Sequence, residues 1–121
     1  MLSVKNITKE YLEKIFKKTK EIVKYKNYYL KERKTLVNVF FEPSTRTSLS
    51  FERAMHKVGG DVITFNRDFS SIKKGETYED TIKTLSCYGD IMALRHPVKG
   101  AVETASQVST IPIINEADEE V

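Results

Sequence analysis

The sequence predicts an α/β fold with a doubly wound parallel sheet flanked by helices. Segments with the composition of strands alternate with segments of helical period along the 121 residues. Most of the turns between them are short, and no repeat, low-complexity tract or linker divides the chain. Strands and helices that alternate in this way form parallel sheets covered by helices. A chain of this length usually forms one domain, so we expect a single unit over residues 1–121.

The first helix is expected to begin at Thr8, because apolar side chains follow at helical spacing. Its stripe consists of Leu12, Ile15, Phe16, Thr19, Ile22 and Val23. Residues 35–42, "TLVNVFFE", are rich in Val and Phe and predict a strand. A second helix is expected over 44–58, ended by the pair Gly59 and Gly60. Its apolar stripe is Phe51, Ala54, Met55 and Val58.

The rest of the chain continues the alternation after one long connection over residues 66–76. Ligands of such sheets bind beyond the carboxyl ends of the strands, so the segments that follow strands are the candidates for function. The remaining predicted elements are a strand over 61–65, a helix over 77–88 ended by Gly89, a strand over 90–96, a helix over 100–109 and a strand over 111–115.

The net charge of +3 is unevenly distributed. Residues 1–34 carry eleven Lys and Arg against four Glu, whereas the last six residues form an acidic cluster that begins with Glu116. A basic segment of this kind can bind nucleic acid. The lysines lie on the polar side of an amphipathic helix and have no aromatic stacking pattern between them. We therefore expect a solvated helix face and no nucleic-acid partner.

Nothing in the sequence predicts a membrane partner or export. No segment is long and apolar enough to span a membrane, and the N-terminus lacks the apolar region and cleavage site of a signal peptide. The single Cys87 cannot form an internal disulfide and is expected to be a small core residue. These features favour a cytoplasmic protein.

The segment "PSTRT", residues 43–47, follows the strand over 35–42 and opens the second helix. The first turn of a helix has backbone N–H groups without intrahelical partners and the positive end of the helix dipole. Three hydroxyl groups add further donors, and Arg46 can grip two phosphate oxygens at once. A helix cap alone needs only one such hydroxyl. The segment therefore predicts a phosphate site formed by Ser44, Thr45, Arg46 and Thr47.

Two further segments are expected at the same edge of the sheet. The long connection contains Ser70, Ser71, Lys73, Lys74 and Gly75, and a lysine on a hinged loop can close over an anion and exclude water. Solvated lysines on a surface turn are the alternative. In "LRHP", Arg95 and His96 lie at the carboxyl end of a strand that Pro97 ends. Arg95 could donate to a ligand carbonyl there, while His96 is more typical of a structural residue.

Three motifs, "FFEPSTRTSLSFE", "SSIKKGETYEDTI" and "ALRHP", closely resemble the N-terminal, carbamoyl-phosphate-binding domain of aspartate carbamoyltransferase catalytic chains. The resemblance covers nearly the whole chain. The related ornithine carbamoyltransferases usually have a basic residue at the position of Glu42 and lack the lysine of the "KKGE" loop. The resemblance therefore implies transfer of the carbamoyl group of carbamoyl phosphate to L-aspartate in pyrimidine biosynthesis.

The same resemblance implies a role for each matching residue, with neither a cofactor nor a metal. Hydroxyls, amides and the arginine of the "STRT" segment hold the phosphate group, with Arg46 as the anchor. Thr47 and Arg95 also reach the carbamoyl oxygen. Ser70 and Lys74 reach into a neighbouring subunit of a homotrimer, and Ser71 is an alternative to Ser70. Whether regulatory chains join the trimer stays open.

The chain departs from the family pattern at its end. It stops at Val121, before a His-Pro-Thr-Gln segment and before the aspartate-binding domain of complete family members. His56 and His96 cannot replace the missing histidine, because one lies far along a helix and the other belongs to "LRHP". We expect most of the phosphate site, none of the aspartate site, and no activity of this chain alone. The alternatives are a truncated, non-catalytic module for anion binding or subunit interaction, and another carbamoyltransferase such as ornithine carbamoyltransferase.

Overall fold

The computed structural model describes residues 8–24, 28–67 and 77–116 and confirms the predicted alternation of helices and strands. The boundaries differ from the predicted ones by one or two residues. The elements in chain order are α1 (Lys9–Lys24), β1 (Thr35–Phe40), α2 (Thr45–Lys57), β2 (Asp61–Asn66), α3 (Tyr78–Ser86), β3 (Ile91–Arg95), α4 (Ala101–Val108) and β4 (Ile113–Asn115).

The four strands form one parallel sheet in the order β2-β1-β3-β4, so the predicted doubly wound parallel sheet is confirmed. From β1 the chain passes to β2 on one side and then crosses back over β1 to β3 on the other side, so the strand order reverses at β1. β1 is buried from Leu36 to Phe40, as expected for a central strand covered on both faces. The segments that follow β1 therefore lie at the edge where such sheets bind ligands.

The two faces of the sheet are covered by different helices. Val37, Val39 and Leu94 pack with Ile82 of α3 and Val102 of α4 in the main hydrophobic core. α2 lies on the opposite face, where the side chain of Asn38 contacts it. Side chains along β1 alternate between the two faces of the sheet, so the odd-numbered residues face α3 and α4 and the even-numbered residues face α2.

Helix α1 begins as predicted, with the Thr8 hydroxyl accepting a hydrogen bond from the Tyr11 amide at 3.1 Å. Its apolar stripe exists, but none of its residues is buried, and the Phe16 side chain is 59% exposed. None of the helices in the described part of the chain has the length and apolar character needed to cross a membrane.

The positions at which α2 and α3 end explain the role of Gly59 and the exposure of Cys87. Gly59 has a φ of +80°, a conformation that favours glycine, and α2 stops just before it as predicted. The prediction that Cys87 is a core residue was wrong, because Cys87 is exposed and its thiol contacts the Lys83 carbonyl. α3 ends at Ser86, which is buried, and Cys87 caps it one residue further round the helix, on the solvent side.

Candidate functional site

The first turn of α2 lies directly beyond the carboxyl end of β1, as the sequence predicts. Ser44 is the N-cap residue in an extended conformation, and its carbonyl accepts the Ser48 amide at 3.2 Å. Within the described residues its hydroxyl makes no capping hydrogen bond, so it is not engaged in the usual role of an N-cap serine. Thr45 and Arg46 are exposed and Thr47 is half-buried. The turn therefore presents its hydroxyls, its guanidinium and the positive helix end together.

Asn38 anchors this turn from beneath. Its side chain is fully buried in β1, and its Nδ2 donates to the carbonyl oxygen of Ser48 at 3.1 Å. This bond joins the middle of the strand to the fourth residue of α2. This role of Asn38 was not predicted from the sequence. The available signal was one amide within the apolar run that follows Thr35 in "TLVNVF", since a buried polar side chain needs a partner.

Arg95 lies at the same edge because β3 pairs with β1. Phe40 and Arg95 are register partners, and the Phe41 amide donates to the Arg95 carbonyl at 2.9 Å. The guanidinium Nε of Arg95 is 2.6 Å from Oε1 of Glu42, which follows β1. Both side chains are about three-tenths exposed or less, so this ion pair is partly shielded from water. One edge of the guanidinium is thus oriented by Glu42.

His96 lies on the other face of the sheet and does not face Arg95. Its ring packs against Phe41 and Tyr78 at centroid distances of 5.1 and 5.0 Å, and its Nδ1 accepts the Val98 amide. Burial lowers the pKa of His96, against the opposing effect of Glu42. These contacts fit the structural role that the sequence favoured for this histidine.

Glu116 belongs to the same edge, which the sequence did not predict. The acidic cluster suggested a charged chain end, yet Glu116 directly follows β4 and its amide donates to the Leu94 carbonyl at 2.9 Å. Burial raises the pKa of its carboxyl to about 8, although the nearby Arg95 acts in the opposite direction. The signal for this residue was its position one step beyond a predicted strand.

The loop residues predicted to complete the site, Ser70, Ser71, Lys73 and Lys74, lie outside the described residues. The residues that the structure brings to one edge of the sheet are those of the α2 first turn, Glu42, Arg95 and Glu116. Over the described ranges, no group of three or more His, Cys, Asp or Glu side chains could hold a metal ion. The edge is built to offer hydrogen-bond donors and positive charge, which suits an oxyanion.

Comparison with protein families gives one match over almost the full chain. Residues 1–120 match the family described as "Aspartate/ornithine carbamoyltransferase, carbamoyl-P binding domain". Among curated proteins, the chain is 47% identical over 116 residues to the aspartate carbamoyltransferase catalytic subunit of Clostridium acetobutylicum, covering 93% of this chain and 38% of that protein.

Solved structures agree with this match. The catalytic subunit of M. jannaschii aspartate transcarbamoylase superposes with a TM-score of 0.87 and 47% identity, covering 97% of this chain and 41% of that one. Anabolic ornithine carbamoyltransferase from Campylobacter jejuni superposes with a TM-score of 0.86 and 25% identity, covering 97% and 38%. The chain thus spans about two-fifths of the length of the relatives it matches.

Proposed function

The chain belongs to the aspartate/ornithine carbamoyltransferase family, in its carbamoyl-phosphate-binding domain, and on that premise we propose that it supplies the carbamoyl-phosphate half of an aspartate carbamoyltransferase. The reaction transfers the carbamoyl group of carbamoyl phosphate to the amine of L-aspartate and releases phosphate and N-carbamoyl-L-aspartate. Its place is in pyrimidine biosynthesis. Because the chain spans about two-fifths of its relatives, the aspartate side of the site has to come from sequence outside the matched domain.

Sequence identity is the observation that favours aspartate as the acceptor. An aspartate enzyme and an ornithine enzyme superpose on this chain almost equally well, but their sequence identities to it differ. The aspartate enzyme from M. jannaschii is 47% identical to this chain, whereas the ornithine enzyme from Campylobacter jejuni is 25% identical. Glu42 supports the same choice, since the family resemblance implies that ornithine enzymes usually have a basic residue at this position. Ornithine carbamoyltransferase activity is therefore the weaker alternative.

The residues at the strand ends suit both charges that develop in this reaction. The amine attacks the carbonyl carbon, the carbonyl oxygen becomes negative, and phosphate leaves with its own charge. Ser44, Thr45 and Arg46 are assigned to the phosphate oxygens. Thr47 and Arg95 are assigned to both the phosphate side and the carbamoyl oxygen. Removing one preorganised donor of this kind costs about 3 to 4 kcal/mol of transition-state stabilisation in acyl-transfer enzymes.

Assembly and location belong to the same proposal. The active form is a homotrimer in which Ser70 and Lys74 complete a neighbouring subunit's site, in the cytoplasm. No cofactor or metal takes part. A stand-alone module that binds an anion or a partner subunit without turnover is the competing function.

A domain replacement separates the two functions. The 121-residue chain is placed in the M. jannaschii catalytic subunit instead of its own matching domain, and formation of N-carbamoyl-L-aspartate is measured. We expect turnover by the fusion, none by the isolated chain, and none by the fusion carrying Arg46→Ala. A fusion that forms trimers and binds phosphate but gives no product would favour the binding module.

A further inference from the structure

Three charged side chains, Glu42, Arg95 and Glu116, meet at the ends of three neighbouring strands. Arg95 ends β3, Glu42 lies two residues beyond β1, and Glu116 is the first residue after β4. Phe40 pairs with Arg95, and Leu94 pairs with Asn115, so the next positions along β3 and β4 are Arg95 and Glu116. Alternation along parallel strands places all three side chains on the same face of the sheet. The guanidinium of Arg95 therefore lies between two carboxyl groups.

The carboxyl groups of Glu42 and Glu116 differ in their hydrogen bonding. Glu42 makes a direct hydrogen bond to Arg95 Nε at 2.6 Å. Both carboxyl oxygens of Glu116 are shielded from solvent, and neither has a hydrogen-bond partner among the residues that the structure describes. A buried carboxylate in that condition is costly, so the neutral acid is favoured. Consistent with this, burial raises the pKa of Glu116 to about 8, against the effect of Arg95.

We propose that Glu116 is a positioning residue that holds Arg95 when ionised and releases it to a bound anion when protonated, so that anion binding at this edge takes up a proton. The inference rests on the proposed function, because it assumes that Arg95 faces the anion site. Glu42 orients one edge of the guanidinium in both states. The ionisation state of Glu116 then determines whether the remaining N–H donors of Arg95 bind the Glu116 carboxylate or the ligand.

The charges around Glu116 support this coupling. The positive charge of Arg95 on β3 favours the ionised form of Glu116, and Glu42 is joined to the cluster by its ion pair with Arg95. α4 packs against the opposite face of the sheet, and its one charged residue, Glu103, is exposed. A bound dianion adds negative charge near Glu116 and therefore favours its protonated form. By linkage, protonation of Glu116 must strengthen anion binding to the same extent.

Sulfate is the probe for the test, because it remains a dianion over the whole range from pH 6 to pH 9. Its Kd is measured by titration calorimetry on the 121-residue chain, in buffers of different ionisation enthalpy. We expect nearly constant affinity below pH 7, weakening that approaches about tenfold per pH unit above pH 8, and uptake of close to one proton at pH 9. Glu116→Gln, which resembles the neutral acid, should hold the Kd within about twofold across this range.

Glu103→Gln is the matched control, because it removes the same charge from the exposed surface of α4. It should keep the wild-type pH dependence. His96, whose pKa is lowered by burial, does not titrate between pH 7 and pH 9, and Cys87 lies at the far end of α3, at the opposite edge of the sheet. Loss of the pH dependence in Glu116→Gln alone would therefore assign it to Glu116.

The outcomes separate this inference from the proposed function. If sulfate binding depends on Arg46 but the wild type and Glu116→Gln show equal pH dependence, the inference is overturned and the anion site stands. If Arg46→Ala leaves sulfate binding unchanged, or if sulfate does not bind at any pH, the inference and the proposed function both fail.

Thermal unfolding gives an independent readout of the ionisation itself. The carboxyl of Glu116 titrates near its usual pKa in the unfolded chain and near 8 in the folded chain, so the folded state binds the extra proton between these values. Stability from this group is complete below the unfolded pKa and is lost as pH rises toward 8. The Tm of the wild type should thus fall relative to that of Glu116→Gln between pH 5 and pH 8. Parallel curves would overturn the inference.

Discussion

Arg95 and Glu42 are 53 positions apart in the sequence, yet the Nε of Arg95 lies 2.6 Å from Oε1 of Glu42 at the carboxyl edge of the sheet. The pair exists because β3 lies beside β1, so that the end of one strand faces the residues that follow the other. It orients the guanidinium that the proposed reaction requires at the carbamoyl oxygen.

The Glu42–Arg95 pair should contribute more to stability than the Arg33–Asp61 pair at the surface. A double-mutant cycle of Glu42→Gln and Arg95→Gln is expected to give a coupling free energy of about 1 kcal/mol or more, because both side chains are partly shielded. Arg33 is 78% exposed, and its cycle with Asp61 should give a smaller coupling free energy because water screens an exposed pair. Urea unfolding measures both, and an equal or larger value for Arg33–Asp61 would contradict the expectation.

Phosphate binding should depend on Arg46 and not on Arg53, the other arginine of α2. Phosphate is expected to raise the Tm of the folded chain, since a ligand that binds only the folded state stabilises it. Arg46→Ala should remove most of this rise, because a charge-assisted hydrogen bond contributes about 1.5 to 3 kcal/mol. Arg53→Ala, an exposed position two turns along the same helix, is the control and should behave like the wild type. An undiminished rise in Arg46→Ala would place the phosphate elsewhere.

Asn38→Ala should lower both stability and phosphate affinity. The change removes the buried amide that donates to the Ser48 carbonyl and leaves space beneath the start of α2. We expect a loss of about 2 kcal/mol in the free energy of unfolding, measured in urea, together with a weaker phosphate-induced rise in Tm. Asn66→Ala changes the same residue type at an exposed end of β2 and should cost less than about 0.5 kcal/mol. Equal costs at both positions would argue against an anchoring role.

Lys74 should act in the neighbouring subunit of the trimer. In fusions to the M. jannaschii catalytic subunit, Arg46→Ala and Lys74→Ala should each be nearly inactive. Dissociating the two variants and reassembling them in equal amounts should restore roughly a quarter of wild-type activity, because about three-quarters of the rings are mixed and each has one good site in three.

Pure trimers of either variant, taken through the same dissociation and reassembly, are the controls and should stay inactive. Reassembled trimers of the correct size without recovered activity would mean that Lys74 works within its own subunit or has no catalytic part.

Local patterns along the chain were enough to predict the helices, the strands and the donor-rich first turn of α2. Apolar spacing gave the period of each element, glycines marked where α2 and α3 stop, and the "PSTRT" segment carries its donors within five consecutive residues. Such features depend on residues that are close in sequence, so they can be recognised without knowing the tertiary arrangement of the rest of the chain.

The relations between distant segments needed the fold. Strand order places Arg95 against Glu42 and Glu116, and strand register buries the Glu116 carboxyl that composition alone had assigned to an acidic chain end. Cys87 is exposed because it lies one residue further round the helix than the buried Ser86, and packing of α3 decides which side of that helix is covered. Burial and charge pairing are properties of packed neighbours, so the pKa of Glu116 and the orientation of Arg95 follow from which strands lie side by side.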